Sequence, residues 1–413
     1  MNVWNRVLRS PVLDAAAVLI AVLHVVWIVQ LLPTRTFSFD FNHYYISSRL
    51  LREGRNPYRT PLAGESEKYG FEHVEQTPVA HNPPLLLWLF APLTMLAPRP
   101  AFWVWVTVEA GSVVAILWLT KRLLRGQLTR RGWLFLSAAV LSSAPVFWHF
   151  AFSHVEMTLA AVLLAAYAWH KDGKQALACA TVMLVGMIKI YPLVLLPWFV
   201  WRSGPSVWKR SQCGAALLAG IGAIVLVTGP AMWADFFARA TPTISRWAVG
   251  HTFNFTLPSF VINVGQALQS GSASPEPGRL WWMVGSSVGL AAIFAAYVFC
   301  AMGERDEDVQ FSVLSAAMVT CGLTGWGYYF VMLVFPVGLA VARLAESFSW
   351  RQALVLLVLL IAMNSQGPWD QSFLERFPIG RILLNYVPLY GLCGFCFLLV
   401  RCSTPGRRAT AIK

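Results

Sequence analysis

The sequence has 413 residues, 57% of them hydrophobic and 12% charged, with 19 Trp and 26 Phe. Apolar runs of roughly 20 residues recur along it, each long enough to cross about 30 Å of hydrocarbon; this excludes a soluble fold, and because the runs are apolar throughout rather than alternating it excludes a strand-built barrel. The formal net charge of +13 does not mark a nucleic-acid surface, because the basic residues gather at the ends of the apolar runs, where they set orientation.

In chain order, Arg6 and Arg9 precede a first apolar run at residues 12–32. That run is too long for a removable signal peptide and lacks a small-residue cleavage site, so it reads as a retained helix with a cytoplasmic N-terminus. Residues 34–84 then form a polar extracytoplasmic loop, in which Asp40-Phe-Asn-His-Tyr-Tyr45 leads into a helix-like segment ending at Glu53-Gly54. Residues 85–96 are too short to cross before Ala97-Pro-Arg-Pro100 and read as a re-entrant piece at the outer face. A span at 101–120 reaches the basic cluster 121–131 on the inside. Residues 133–150 run outward and 155–169 return, with Ser153-His154-Val155-Glu156 at the outer turn. Two short crossings in 175–201 meet outside near Lys189-Ile-Tyr-Pro192. The run 214–227 leads to a second large extracytoplasmic loop, 228–280. Residues 281–302 return, two crossings meet outside near Gly325-Trp-Gly-Tyr-Tyr329, 353–363 lead out, and 382–400 end at a basic tail. The expectation is one integral membrane domain over 1–413, an all-α polytopic protein of about 10 to 12 transmembrane helices whose long outer loops carry short interfacial helices.

The seven cysteines fall in apolar runs or in segments assigned to the cytoplasm, so no disulfide framework is implied. Cys393-x-x-Cys396 lies within an apolar helix and reads as small buried hydrophobes.

Four polar features converge on the outer face. Asp40 lies just past the first helix, where a carboxylate must be solvated or paired, and it reads equally as a cap or as a functional group. Lys189 stands between apolar neighbours, either snorkelling to the interface or placed at the depth of a lipid phosphate. His154 and Glu156 share a helix start, where Glu156 also suits the helix dipole. Their separation is not a metal spacing, and no metal or cofactor is expected. No glycine-rich phosphate cradle follows a strand, so a phosphate would arrive attached to a lipid rather than to a soluble nucleotide. Asn254-Phe-Thr256 has the form of a glycosylation acceptor, a pattern short enough to be chance.

Asp40-x-x-x-Tyr44, Gly54-x-Asn56-Pro57-Tyr58, His81-Asn-Pro-Pro84-Leu with Ala91-Pro92-Leu93, and Lys189-x-Tyr191-Pro192 together resemble the ordered pattern of glycosyltransferase family 87. The resemblance covers roughly residues 12–200 and returns more weakly at Asn254-x-Thr256-Leu257 and at 326–336. It implies a GT-C-like bundle and transfer of a hexose, mannose in the family's best-known case, from a polyprenyl-phosphate sugar to a hydroxyl of a glycolipid or cell-envelope glycan. The chain departs from the pattern in carrying Ser153-His154 and Glu156 where a Gly-Gln and an Asn are usual, and Tyr328 where a histidine is expected.

On this reading Asp40 is the general base of an inverting displacement, because a phosphate leaving group needs little protonation and one carboxylate suffices to take the acceptor's proton. Lys189 is the partner of the donor phosphate, with Arg49, Arg52 and His154 as helpers. Tyr44, Asn56, Tyr58, Asn82, Glu156 and Tyr328 shape the sugar and acceptor pocket. The opposing readings are a transporter or flippase of lipid-linked sugars and a non-catalytic subunit that binds them. A transporter places its ionisable groups near the bilayer midplane, whereas these gather at helix ends on one side of a multi-pass plasma-membrane protein.

Overall fold

A backbone in hydrocarbon must satisfy its own N–H and C=O groups, and apolar runs of this length do so as helices. The computed structural model describes residues 10–35, 39–71, 79–204, 206–249, 254–270, 278–302, 306–346, 349–365 and 378–403. Among them every regular element is helical, and the only strand-type pairing is an isolated bridge between Asn254 and Trp326. The chain begins with α1 (Pro11–Leu31), α2 (Phe39–Arg52), α3 (Ala63–Lys68), α4 (Pro84–Phe90), α5 (Pro98–Leu123), α6 (Arg130–Leu141), α7 (Ala144–Phe152), α8 (Glu156–Lys171), α9 (Gln175–Ile188) and α10 (Leu196–Arg202). It continues with α11 (Val207–Thr228), α12 (Pro230–Asp235), α13 (Thr241–Val249), α14 (Leu257–Ser270), α15 (Arg279–Met302), α16 (Glu307–Thr320), α17 (Val334–Glu346), α18 (Trp350–Asn364), α19 (Pro378–Asn385) and α20 (Val387–Ser403).

Among the described residues five stretches are long and apolar enough to cross a membrane, namely Pro11–Thr34, Pro98–Leu123, Val207–Thr228, Arg279–Met302 and Gly327–Glu346, and α6 with α7 makes a sixth that is bent by 42°. The remaining apolar pieces, Pro84–Met95, Gln175–Ile188, Trp350–Asn364 and Val387–Cys402, are shorter. Among the described residues, five or six of the expected 10 to 12 helices are thus full-length, and the other apolar helices are shorter. Prolines mark where two of these helices end: Pro92 and Pro192 stand at the start of 3-10 turns at Ala91–Met95 and Tyr191–Leu195.

Burial separates perimeter from centre. Only 11% of the apolar window in α1 and in α11, and 17% in α15, is buried against protein, compared with 78% in the stretch Gly327–Glu346. The first three face lipid, while α17 packs on α5, α16 and α20 in the middle. On α15, Gly285 and Gly289 lie one turn apart and permit close approach: a Cβ there would lie 2.8 Å from the Pro258 carbonyl oxygen and 2.5 Å from that of Cys321. Small residues at this spacing let membrane helices touch through their backbones.

Charged residues gather at both ends of α8, which spans roughly 22 Å. At its C-terminal end Lys171 pairs with Asp308 at 3.2 Å and Arg202 with Glu307 at 3.4 Å. Tyr167 donates to Asp308 at 2.5 Å and stacks on Phe311. The N-terminal end, at Glu156, meets the first loop.

Candidate active site

The site begins with α2. Asp40 stands in its first turn, where a carboxylate complements the helix dipole. The residues from Phe41 to Ser48 are buried on every side. Phe41 packs edge-on against Phe71, Phe90 and Phe102, and Tyr45 donates to the Leu96 carbonyl at 2.8 Å. The helix closes through Gly54 at φ +74°, the left-handed conformation that ends helices at little cost for glycine. Asp40 is thus mounted on a rigid element.

Three other segments meet it. His154 lies in the turn between α7 and α8, with Nε2 2.9 Å from Asp40 Oδ2 and Nδ1 3.3 Å from Glu156 Oε2. Glu156 Oε1 is in turn 3.8 Å from Lys189 Nζ, and that ammonium donates to Asn82 Oδ1 at 2.8 Å. Charges of alternating sign therefore run Asp40, His154, Glu156, Lys189. Asp40 and Lys189 retain 15% and 14% side-chain exposure, while the two links between them have 5% and none. The partly open ends face a cavity of about 560 Å³, a usual size for a small-molecule site.

The polar end of this cavity is formed by Asp40, His43, His81, His154 and Lys189; its walls are aromatic and apolar, with Trp148, Phe152, Phe236, Phe237, Trp247 and Trp326 prominent. Burial lowers the pKa of His154, but the carboxylates of Asp40 and Glu156 more than offset it, and the net direction is upward. Tyr328 stacks on this imidazole with centroids 3.6 Å apart, a contact that favours a cationic ring. Burial instead brings His43 down to about 4 and, with the nearby Lys189 and His154 charges, takes His81 well below its ordinary value. Those two rings are neutral at pH 7. His81 Nε2 lies 4.0 Å from Asp40 Oδ1, the oxygen that His154 leaves unused.

The residues singled out from sequence divide into three groups. Asp40, His154, Lys189 and Tyr328 line the cavity. Glu156, Tyr44, Asn82, Tyr58 and Asn56 stand behind it. Tyr44 Oη is 3.5 Å from His154 Nδ1, and Tyr58 donates to the Asn82 carbonyl at 2.5 Å. Asn56 caps its own turn through Tyr58 N–H and donates to Asp235 Oδ2 at 2.7 Å. Arg49 and Arg52 are not brought to the cavity: Arg49 binds Glu53 and the Thr94 carbonyl, and Arg52 is exposed at the end of α2, roughly 18 Å along the axis from Asp40. His43, His81 and the wall contributed by 236–247 were not singled out. His81 was visible within His81-Asn-Pro-Pro84, but a lone histidine beside prolines carries no signal of its own.

Fold and site define a polytopic membrane protein with a buried charge chain opening into an aromatic cavity. The model of glycosyltransferase family 87 matches residues 80–325, well over half of the sequence, and the chain belongs to that family. It is a membrane glycosyltransferase. No curated protein matches it. Three of the four positions at which the chain departs from the resembled pattern touch one another: His154 pairs with Glu156, and Tyr328 stacks on His154. The imidazole beside the carboxylate is supplied from position 154, with Tyr328 lying flat against it.

Proposed function

We propose that the protein transfers a hexose, with mannose the first candidate, from a polyprenyl-phosphate donor to a hydroxyl of a lipid-linked or envelope glycan on the extracytoplasmic face. The observation that carries this reading is the mounting of Asp40. One carboxylate oxygen is fixed by His154, and the other is left beside the cavity, close to a neutral His81. In the reaction the acceptor oxygen bonds to the anomeric carbon from the face opposite the phosphate, its proton passes to Asp40, and the carbon–oxygen bond to phosphate breaks with its electron pair leaving on the phosphate. The anomeric centre inverts. Lys189 meets the phosphate charge, and the aromatic walls stack on the sugar and the first isoprene units. A monophosphate leaving group is a weak base, so no general acid is required. The transporter reading loses its footing, because the family is one of transferases.

The test is Asp40→Asn in proteoliposomes supplied with radiolabelled polyprenyl-phosphate sugars. The variant keeps the size of the side chain and its contact with His154, so it should fold and bind donor like wild type while its transfer rate falls by roughly 10² to 10⁴. Turnover above about a tenth of wild type would remove Asp40 from the role of base.

A further inference from the structure

A second buried polar group lies behind the charge chain. From α5, Trp105 Nε1 donates to the Ser153 carbonyl at 3.2 Å. One helical turn further on, Glu109 Oε2 lies 2.6 Å from His149 Nε2 on α7, and Glu109 Oε1 accepts from Thr158 Oγ1 on α8 at 2.5 Å. Thr158 also meets Ser112 Oγ at 3.0 Å. Glu109 is 1% exposed and His149 not at all. A carboxylate inside a membrane bundle is retained where it is paired, and this one ties three helices together without lining the cavity.

What these helices hold between them is the turn that carries His154. His149 accepts the His154 N–H through its own carbonyl at 3.3 Å. Ser153 is the one non-glycine with positive φ among the described residues, at 56°. Surrounding contacts must impose such a conformation. The imidazoles of His149 and His154 lie 6.4 Å apart, so a shift of α7 relative to α5 is felt directly at the Asp40 contact.

We infer that Glu109 is a positioning residue for His154: by clamping His149 and Thr158 on the side away from the cavity, it fixes the left-handed turn that aims His154 at Asp40. Its kinetic consequence rests on Asp40 being the base; its structural consequence does not. Displacing a group by an ångström at a reacting centre can cost up to about 10²-fold in rate. Glutamine at this position can still accept from His149 Nε2–H and donate to Thr158, whereas leucine can do neither.

The experiment uses the full chain in nanodiscs with ¹⁵N-labelled histidine, the His154 resonances being assigned by their loss in His154→Gln. Glu109→Gln should leave these resonances in place and keep kcat within about threefold of wild type, whereas Glu109→Leu should move them and lower kcat roughly tenfold or more at unchanged donor affinity. Glu109→Leu should add nothing further in the His154→Gln background, because both act at one contact. If Glu109→Leu fails to fold, Thr158→Val removes one arm of the clamp and should move the same resonances in the same sense by less. Unmoved His154 resonances in Glu109→Leu and Thr158→Val, equal effects of Gln and Leu, or an additive loss with His154→Gln would each overturn the inference. Wild-type protein that transfers no sugar would count against the proposed function alone, since the resonances still decide the placement of His154.

Discussion

Lys189 shows how far a single residue's reading depends on its neighbours. From sequence it was an interfacial lysine, free to snorkel or to meet a phosphate. In the fold its ammonium also faces Glu156, whose side chain is wholly buried. Lys189→Met therefore does more than remove a phosphate contact, for it leaves a buried carboxylate with one cationic partner fewer. The expected cost is roughly 1 to 3 kcal/mol of stability. Lys189→Met combined with Glu156→Gln should recover much of this loss in a thermal unfolding assay, because charge and countercharge leave together. Donor affinity should stay low in both variants. If either binds polyprenyl-phosphate sugar as wild type does, Lys189 holds Glu156 and Asn82 in place and has no role toward the donor.

Among the elements, α2 was the most readable. The chain after Asp40 reads as a helix ending near Glu53-Gly54, and α2 ends at Arg52 with Gly54 left-handed. What surrounds it was not readable, because Phe41 meets partners 30 to 61 residues away and nothing in a local pattern names them. The second loop gave less. Its described residues between 230 and 270 include α12, α13 and α14, and the segment after α12 sends Phe236 and Phe237 to the cavity. Arg59 and Asn56 hold that segment by gripping Asp235, each at 2.7 Å. Helix contacts of this kind are testable through glycine. Gly289 meets a backbone carbonyl where its Cβ would be, whereas Gly222 on lipid-facing α11 meets nothing within 4 Å. Gly289→Ala should destabilise the protein by about 1 to 3 kcal/mol. Gly222→Ala should be neutral or stabilising by up to about 1 kcal/mol, through helix propensity. Equal thermal stability of the two variants would mean that α15 does not approach Cys321 as described.

For the whole molecule, ion pairs check the path of the chain. Arg131 binds Asp14 at 2.6 Å and Arg122 binds Asp172 at 2.5 Å, joining helix ends that the path read from the sequence puts on one side. The pairs Lys171 with Asp308 and Arg202 with Glu307 fall on that side of the path as well. The contacts of Asp40 with His154 and of Lys189 with Asn82 join segments that the path puts on the other. Which side faces the cell exterior is a matter of charge bias. With the native cysteines replaced, Glu67→Cys should be labelled by an impermeant thiol reagent in intact cells, and Arg130→Cys only after the membrane is opened. Both residues are exposed in the fold. The reverse pattern would place the cavity in the cytoplasm and sink the polyprenyl-phosphate reading with it.

Sequence alone determined the helical, membrane-embedded character of the chain and singled out Asp40, His154, Glu156 and Lys189, which the fold brings together, because hydropathy, helix-end signals and isolated charges in apolar surroundings are local properties. Glu109 and His149 escaped notice for the same reason. Each is one polar residue in an apolar run, and only their meeting at 2.6 Å gives them meaning. Tertiary structure also reassigned Asn56, Tyr58 and Asn82 to positions behind the cavity and left Arg49 and Arg52 away from it, since a residue's distance from a cavity is fixed by how helices pack and not by its separation along the chain. The same packing decided that a histidine at 154, a glutamate at 156 and a tyrosine at 328 form one unit: an imidazole between two carboxylates with an aromatic ring on its face is stable only when all its parts are brought together.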